Sequence, residues 1–246
     1  MHYKFNHLRA TGKYVAMCDG DDYWIDEYKL QKQYDYMEKN PDCSFVFHSA
    51  KIYDDANKKF DGEICYSAFD KLISNEHLFY GAGRTNPSSS IFYRKEFLDN
   101  PPNWFFKAPF GDTPTALILQ TKGYIYFMAK HMSVYRVNVS VSWNNTIQNN
   151  KIKAIASQKK MIIILQEFNN YTNFRYDSDI NKYCAKIKFQ ILKLQKDFNK
   201  MDIFKNYILR NYFRTLPIKK KIFFLLQHLT PAGYNLLKKS KRKFIS

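Results

Sequence analysis

At 246 residues the chain is long enough to bury a sizeable core, and a 17% aromatic content, mostly Phe and Tyr, helps to fill one. Eight Gly and eight Pro exclude collagen-like and linker-like sequence, and the four dispersed cysteines, with no CxxC pair, exclude a disulfide frame or a zinc ribbon. The formal charge of +17 is lopsided: residues 1–150 hold 17 Lys/Arg against 17 Asp/Glu, while residues 151–246 hold 22 against 5.

That break divides a neutral front domain, 1–150, from a basic rear region, 151–246. In the front, residues 14–18 read as an apolar strand that runs straight into Asp19-Gly20-Asp21-Asp22. A helix follows over 26–39, with Asp26 as N-cap, Leu30, Tyr34 and Met37 on one face, and Asn40-Pro41 as its stop. Further strands are expected at 44–50, 89–93 and 124–128, with a helix over 114–120 stopped by Gly123. Strand–helix–strand order argues for a layered α/β sheet. The rear is helical: 152–168 and 180–198 carry helical spacing, with Asp177 to Asp179 supplying caps between them. Shorter helices are expected after Asp202 and over 217–226, and a last turn at Thr230-Pro231.

The acidic cluster is the most informative stretch. In open α/β sheets ligands bind outside the carboxyl ends of strands, where D-x-D-D would sit. Carboxylates packed this closely raise one another's pKa, and a hard divalent cation such as Mg²⁺ or Mn²⁺ relieves the conflict while sharing phosphate oxygens. The plainer alternative is an acidic turn leading into a helix cap. None of the six histidines forms a metal pair, and His48 and His131 read as core or pocket-lining residues. There is no G-x-S-x-G elbow, Walker loop or G-x-G-x-x-G.

The wider pattern G-K-Y-V-A-x-x-D-G-D-D-Y-W-x-D-x-x-K-L-Q-x-Q, from Gly12 towards Pro41, resembles the signature of the family 2 glycosyltransferases, in the bacterial subgroup that builds surface polysaccharides. The resemblance implies a GT-A (Rossmann-like) α/β fold with a mixed sheet, followed here by the basic α-helical C-terminal region. It implies an inverting, metal-assisted transfer of a sugar, of hexosyl type, from a nucleoside diphosphate to a glycan or lipid-linked acceptor. Asp19 and Asp21 then become the "DXD" pair that holds Mn²⁺ or Mg²⁺ against the donor diphosphate, Asp21 foremost, with Asp22 as a secondary contact or helix cap. Gly111-Asp112 resembles the family's "GD" motif, which makes Asp112 the general base; as an alternative, Asp112 is a helix N-cap. Residues 85–94 resemble the acceptor-lining segment, which assigns Ser88 and Ser89 to the acceptor, together with Trp24; the serines could equally satisfy a strand start. Ser133-Val134-Tyr135-Arg136 resembles the "YR" loop after a strand, where Arg136 pairs with the diphosphate or with a structural carboxylate. Asn138-Val139-Ser140 stands where the family often has His and Gly.

In the family a longer segment, with the first strands of the nucleotide-binding half, precedes the DXD strand; here eleven residues precede Gly12, so the GT-A domain is expected to be N-terminally incomplete. The alternative function is therefore a truncated, inactive remnant that binds membranes or partners. Residues 1–9 contain no apolar h-region, and no run reaches the roughly 18 to 20 apolar residues of a membrane span. The expected location is cytoplasmic, peripheral on the inner face of the cell membrane, with the basic helices on an anionic leaflet. A nucleic-acid partner is not expected, because the rear lysines alternate with apolar helix faces and no zinc-finger or RNP pattern occurs.

Overall fold

The computed structural model describes residues 2–73, 86–139, 150–194, 206–218 and 220–222. Its order is α1 (His2–Phe5), β1 (Tyr14–Ala16), β2 (Tyr23–Trp24), α2 (Lys29–Lys39), β3 (Cys43–Asp54), β4 (Lys59–Ile64), β5 (Lys71–Ile73), β6 (Phe92–Arg94), α3 (Asp112–Leu119), β7 (Tyr124–Val137), α4 (Lys151–Tyr171), α5 (Asp177–Leu194) and α6 (Tyr207–Thr215). Short 3-10 turns intervene, among them Ser88–Ser90 and Asn103–Lys107. The chain forms two compact units, Met1–Asp179 and Ile180–Ser246. The charge break at residue 150 falls just before α4, which lies within the first unit.

The front is a mixed α/β sheet, with the helical region C-terminal to it. Strand order is β1-β6-β3-β7-β2, with β4 added to β3 and β5 added to β7. Among the described residues only β3 and β7 run parallel; the other pairs are antiparallel. Burial on both faces explains why β3 has no polar–apolar alternation: all eight residues from Cys43 to Ala50 are buried. Its Phe45 and Phe47, with Phe127 and Ile125 of β7, are among the most deeply buried side chains. The parallel pair starts where Gly123 lets the backbones meet. A Cβ there would stand 2.2 Å from the Asp42 carbonyl oxygen, so no other residue fits.

Helix α2 covers the sheet through Met37, which packs with Cys43, Val46, Phe92, Met128 and Met132. Its C-terminus is closed by buried Arg94, which donates to the carbonyls of Met37 at 2.6 Å, Cys43 at 3.1 Å and Asn40 at 3.3 Å. The face expected from the sequence is not the one that is buried. Leu30 and Tyr34 are 42% and 44% exposed, whereas Lys29 and Gln33 line the buried face with Met37. Hydrogen bonding inward outweighs apolarity at these two positions.

Residues 133–136 also depart from the loop that the resemblance implies. They are not a loop: β7 continues to Val137 as a single 14-residue strand. Its register against β3 slips once near the start, between Cys43 and Phe45, and twice more further on, pairing His48 with Met128, Ser49 with His131 and Ala50 with Ser133. The slack forms a β-bulge at Ala129 and Lys130, whose freed Ala129 amide donates to Asp70 Oδ1 at 2.7 Å. The bend lets β7 pair first with β5 and then with β2 along one side.

His48 is fully buried beside that bulge, with Nδ1 2.8 Å from the Ser49 carbonyl and Nε2 without a partner. Burial lowers its pKa to about 3, so the folded protein holds it neutral. An unfolded chain takes up the proton near the ordinary 6.5, so stability is complete above that value and falls as pH drops towards 3. The loss approaches about 1.4 kcal/mol per pH unit within the window. Urea unfolding at pH 7 and pH 5 checks this: His48→Leu should show a clearly smaller drop than the parent, and equal drops would show that another group controls the loss.

In the second unit, Phe189 of α5 and Leu209 of α6 form a small core with Leu192, Tyr212, Phe213 and Leu216. Among the described residues no helix is long and apolar enough to cross a membrane. The expected turn at Thr230-Pro231 and most of the expected helix over 217–226 lie outside the described residues.

Candidate active site

Strand β1 pairs with β6, and the pairing extends one step further through Met17 N–H to the Ile91 carbonyl at 3.0 Å. The chain then turns: Asp22 N–H donates to the Asp19 carbonyl at 3.0 Å, closing a four-residue loop that gathers all three carboxylates. The turn therefore leaves the carboxyl end of β1, as the sequence predicts.

Each carboxylate is held differently. Asp19 Oδ2 accepts a short hydrogen bond from the Ser88 hydroxyl. Asp22 Oδ1 accepts from the Arg136 backbone N–H at 2.9 Å, which anchors the turn to β7. Asp22 Oδ2 is buried without a well-formed hydrogen bond, since the nearby Ser89 hydroxyl donates instead to Ser133 Oγ at 3.2 Å. Burial, opposed by the Arg136 N–H and aided by the charges of Asp21 and Asp19, pushes the Asp22 pKa up to about 6. Asp21 is half-buried between them.

Asp112 opens α3, a helix whose remaining residues are buried. It is not the N-cap. Gly111 holds that position without a side-chain bond, and Asp112 Oδ1 accepts the next amide, Thr113 N–H, at 2.7 Å. Burial is the main cause that raises its pKa, and the negative charge of Asp19 adds to it. Asp112 thus feels the charge of Asp19, although more than ninety positions of sequence separate the two.

The remaining candidates divide. Ser88 reaches the turn. Ser89 is fully buried and bonded to Ser133, which makes it part of the scaffold and leaves no surface for an acceptor. Trp24 is 37% exposed, with its indole N–H on the Ser89 carbonyl at 2.9 Å. The Arg136 guanidinium pairs with Asp55 Oδ1 at 2.6 Å and also feels the charge of Asp21. Past Trp24, an open cleft of about 550 Å³ is lined by Ile25, Asp26, Glu27, Tyr28, Lys130 and His131. The bulge in β7 delivers the last two, and no sequence pattern announces it.

The residues fit a cation that is shared with a ligand. Among the described residues no three His, Cys, Asp or Glu side chains form a self-sufficient metal cage. Mg²⁺ and Mn²⁺ bound beside phosphates need only one or two carboxylates. An orphaned, buried Asp22 oxygen and three carboxylates in one turn are the kind of unrelieved negative charge that such a cation offsets.

Comparison with known proteins covers part of this region. Residues 8–100 match the family model described as Glycosyl transferase family 2. The match takes in the acidic turn, Trp24 and the Ser88–Ser90 turn, while Asp112 and Arg136 lie beyond it. Uncharacterized proteins of Mycobacterium bovis and Mycobacterium tuberculosis are 29% identical to the chain over 144 residues, which is 55% of this chain and 38% of theirs. The chain thus spans under two fifths of the length of these relatives.

Proposed function

We propose that the chain carries an inverting glycosyltransferase site that takes a sugar from a nucleoside diphosphate and transfers it to a glycan or lipid-linked acceptor. The observation that carries this reading is the Asp19–Asp22 turn at the end of β1, tied to Ser88 and lying within electrostatic reach of Asp112. The family match over residues 8–100 supports the class of reaction.

In this reading Asp19 and Asp21 hold the Mn²⁺ or Mg²⁺ that, when bound, offsets the charge on the departing diphosphate. Asp22 braces the turn against β7. Arg136 exchanges its Asp55 contact for a diphosphate oxygen, for which a guanidinium fork is well shaped. Asp112 takes the proton from the acceptor hydroxyl as that oxygen bonds to the anomeric carbon and the bond to the diphosphate breaks. Its raised pKa makes it a stronger base than an exposed carboxylate. The open cleft past Trp24 receives the acceptor, with Tyr28 as an apolar wall and Lys130 and His131 as polar contacts. The basic tail rests on an anionic membrane, close to lipid-linked acceptors.

A panel of nucleoside diphosphate sugars, titrated by calorimetry with and without Mn²⁺, tests the reading. Saturable binding of at least one donor that needs the cation is the expected result. Cation-independent binding, or none across the panel, would contradict it.

A further inference from the structure

Helix α2 turns a charged face inward, and nothing in the proposed reaction uses it. Lys29 is 1% exposed and Gln33 is fully buried. The Lys29 ammonium donates to Gln33 Oε1 at 2.7 Å and sits 4.3 Å from the centre of the Trp24 ring. Among the described residues no carboxylate pairs with it; the titratable groups that face it are the Cys18 thiol and the His48 imidazole, and neither is an anion at neutral pH. Burial pulls the lysine pKa down to about 8, the mark of a cation kept in a poor medium.

An ammonium buried without a counter-ion is costly, and an apolar side chain of the same length would pack there at less expense. The surroundings show what the charge holds. From Lys29 one route runs through Gln33, whose Nε2 donates to the Ser90 carbonyl at 2.8 Å. The other runs through the indole of Trp24, whose N–H donates to the Ser89 carbonyl. Both end on the Ser88–Ser90 turn, and Ser88 in turn holds Asp19.

We propose that Lys29 is a positioning residue for the acidic turn: by fixing Trp24 from below and the Ser88–Ser90 turn through Gln33, it sets the Asp19 carboxylate for a metal–diphosphate ligand. The inference rests on the glycosyl-transfer reading above and adds a residue that never touches the ligand. It also carries a signature that a packing role lacks. Removing the charge should help the fold and harm the site.

The test compares the parent chain with Lys29→Met, Lys29→Arg and Gln33→Leu. Thermal unfolding and calorimetric binding of Mn²⁺ with inorganic pyrophosphate are measured on each. Trp24 emission is read as the difference from Trp24→Phe. Lys29→Met should unfold at an equal or higher temperature, bind the metal–pyrophosphate about tenfold more weakly, and shift the Trp24 emission. Lys29→Arg, which keeps a cation under the indole, should recover part of the affinity. Gln33→Leu, which breaks only the route to Ser90, should weaken binding without the emission shift. Unchanged affinity in Lys29→Met overturns the positioning role, and so does a loss of affinity that merely tracks a lower unfolding temperature. Should the parent chain itself fail to bind Mn²⁺–pyrophosphate, the site reading falls and the proposal with it.

Discussion

Asp112→Asn should lower sugar-transfer turnover by about 10² to 10⁴, the usual share of a general base, while donor affinity stays within about twofold. The amide is nearly the same size as the carboxyl and keeps an oxygen for the Thr113 N–H, so the start of α3 survives. What disappears is the ability to accept a proton from the attacking hydroxyl. The substitution also removes the like charge that Asp112 sets beside Asp19, a small electrostatic change next to the loss of the base. Steady-state kinetics that follow nucleoside diphosphate release, with kcat and KM separated, decide the matter. A variant with the parent's kcat would leave Asp112 as a helix-start residue and nothing more.

Asp21→Asn should remove cation-dependent donor binding, with a loss on the order of a hundredfold or more. Partners that only orient metal ligands cost 10- to 100-fold when they are removed, and a ligand itself should cost at least as much. The turn should persist, because its closing bond is the backbone contact from Asp22 to Asp19 and its anchor is the Arg136 amide on Asp22. The loss is therefore electrostatic. Calorimetry with Mn²⁺ and a nucleoside diphosphate reads it directly, and an unchanged Mn²⁺-dependent affinity would exclude Asp21 as a ligand.

The parts of this site that were legible in the sequence are those written in local chemistry. An apolar run followed by D-x-D-D has few foldings other than a strand that ends in an acidic turn, and it folds that way. The helix after Asp112 was visible in its apolar run, but its cap was not: Asp112 lies one position inside, with Gly111 as the cap. The Ser88–Ser90 turn illustrates the limit most clearly. Which of three adjacent serines reaches Asp19 is decided by the 3-10 geometry and by Ser133, more than forty residues away.

Helix α2 misled for a related reason. Apolar spacing chose Leu30 and Tyr34 as the inward face, yet the buried positions are Lys29, Gln33 and Met37, spaced by four. Periodicity counts apolar side chains, and it is blind to a polar face buried for its hydrogen bonds. A departure of sequence logic from structure at this place is itself informative, because natural proteins tend to break local rules where function requires it. The long β7 strand hid in another way. Its bulge at Ala129 and Lys130 interrupts the period-two pattern, so residues 133–136 read as a separate segment.

In the proposed reaction one site couples diphosphate departure, with a cation bound, to proton removal by Asp112. Its most direct test is product analysis: incubate the chain with Mn²⁺, the donor that binds best and a panel of glycan acceptors, and determine the anomeric configuration of the new linkage by NMR. One sugar should be added with inversion, and one equivalent of nucleoside diphosphate released. A linkage formed with retention, or diphosphate release that proceeds unchanged in the Asp112→Asn chain, would contradict that coupling.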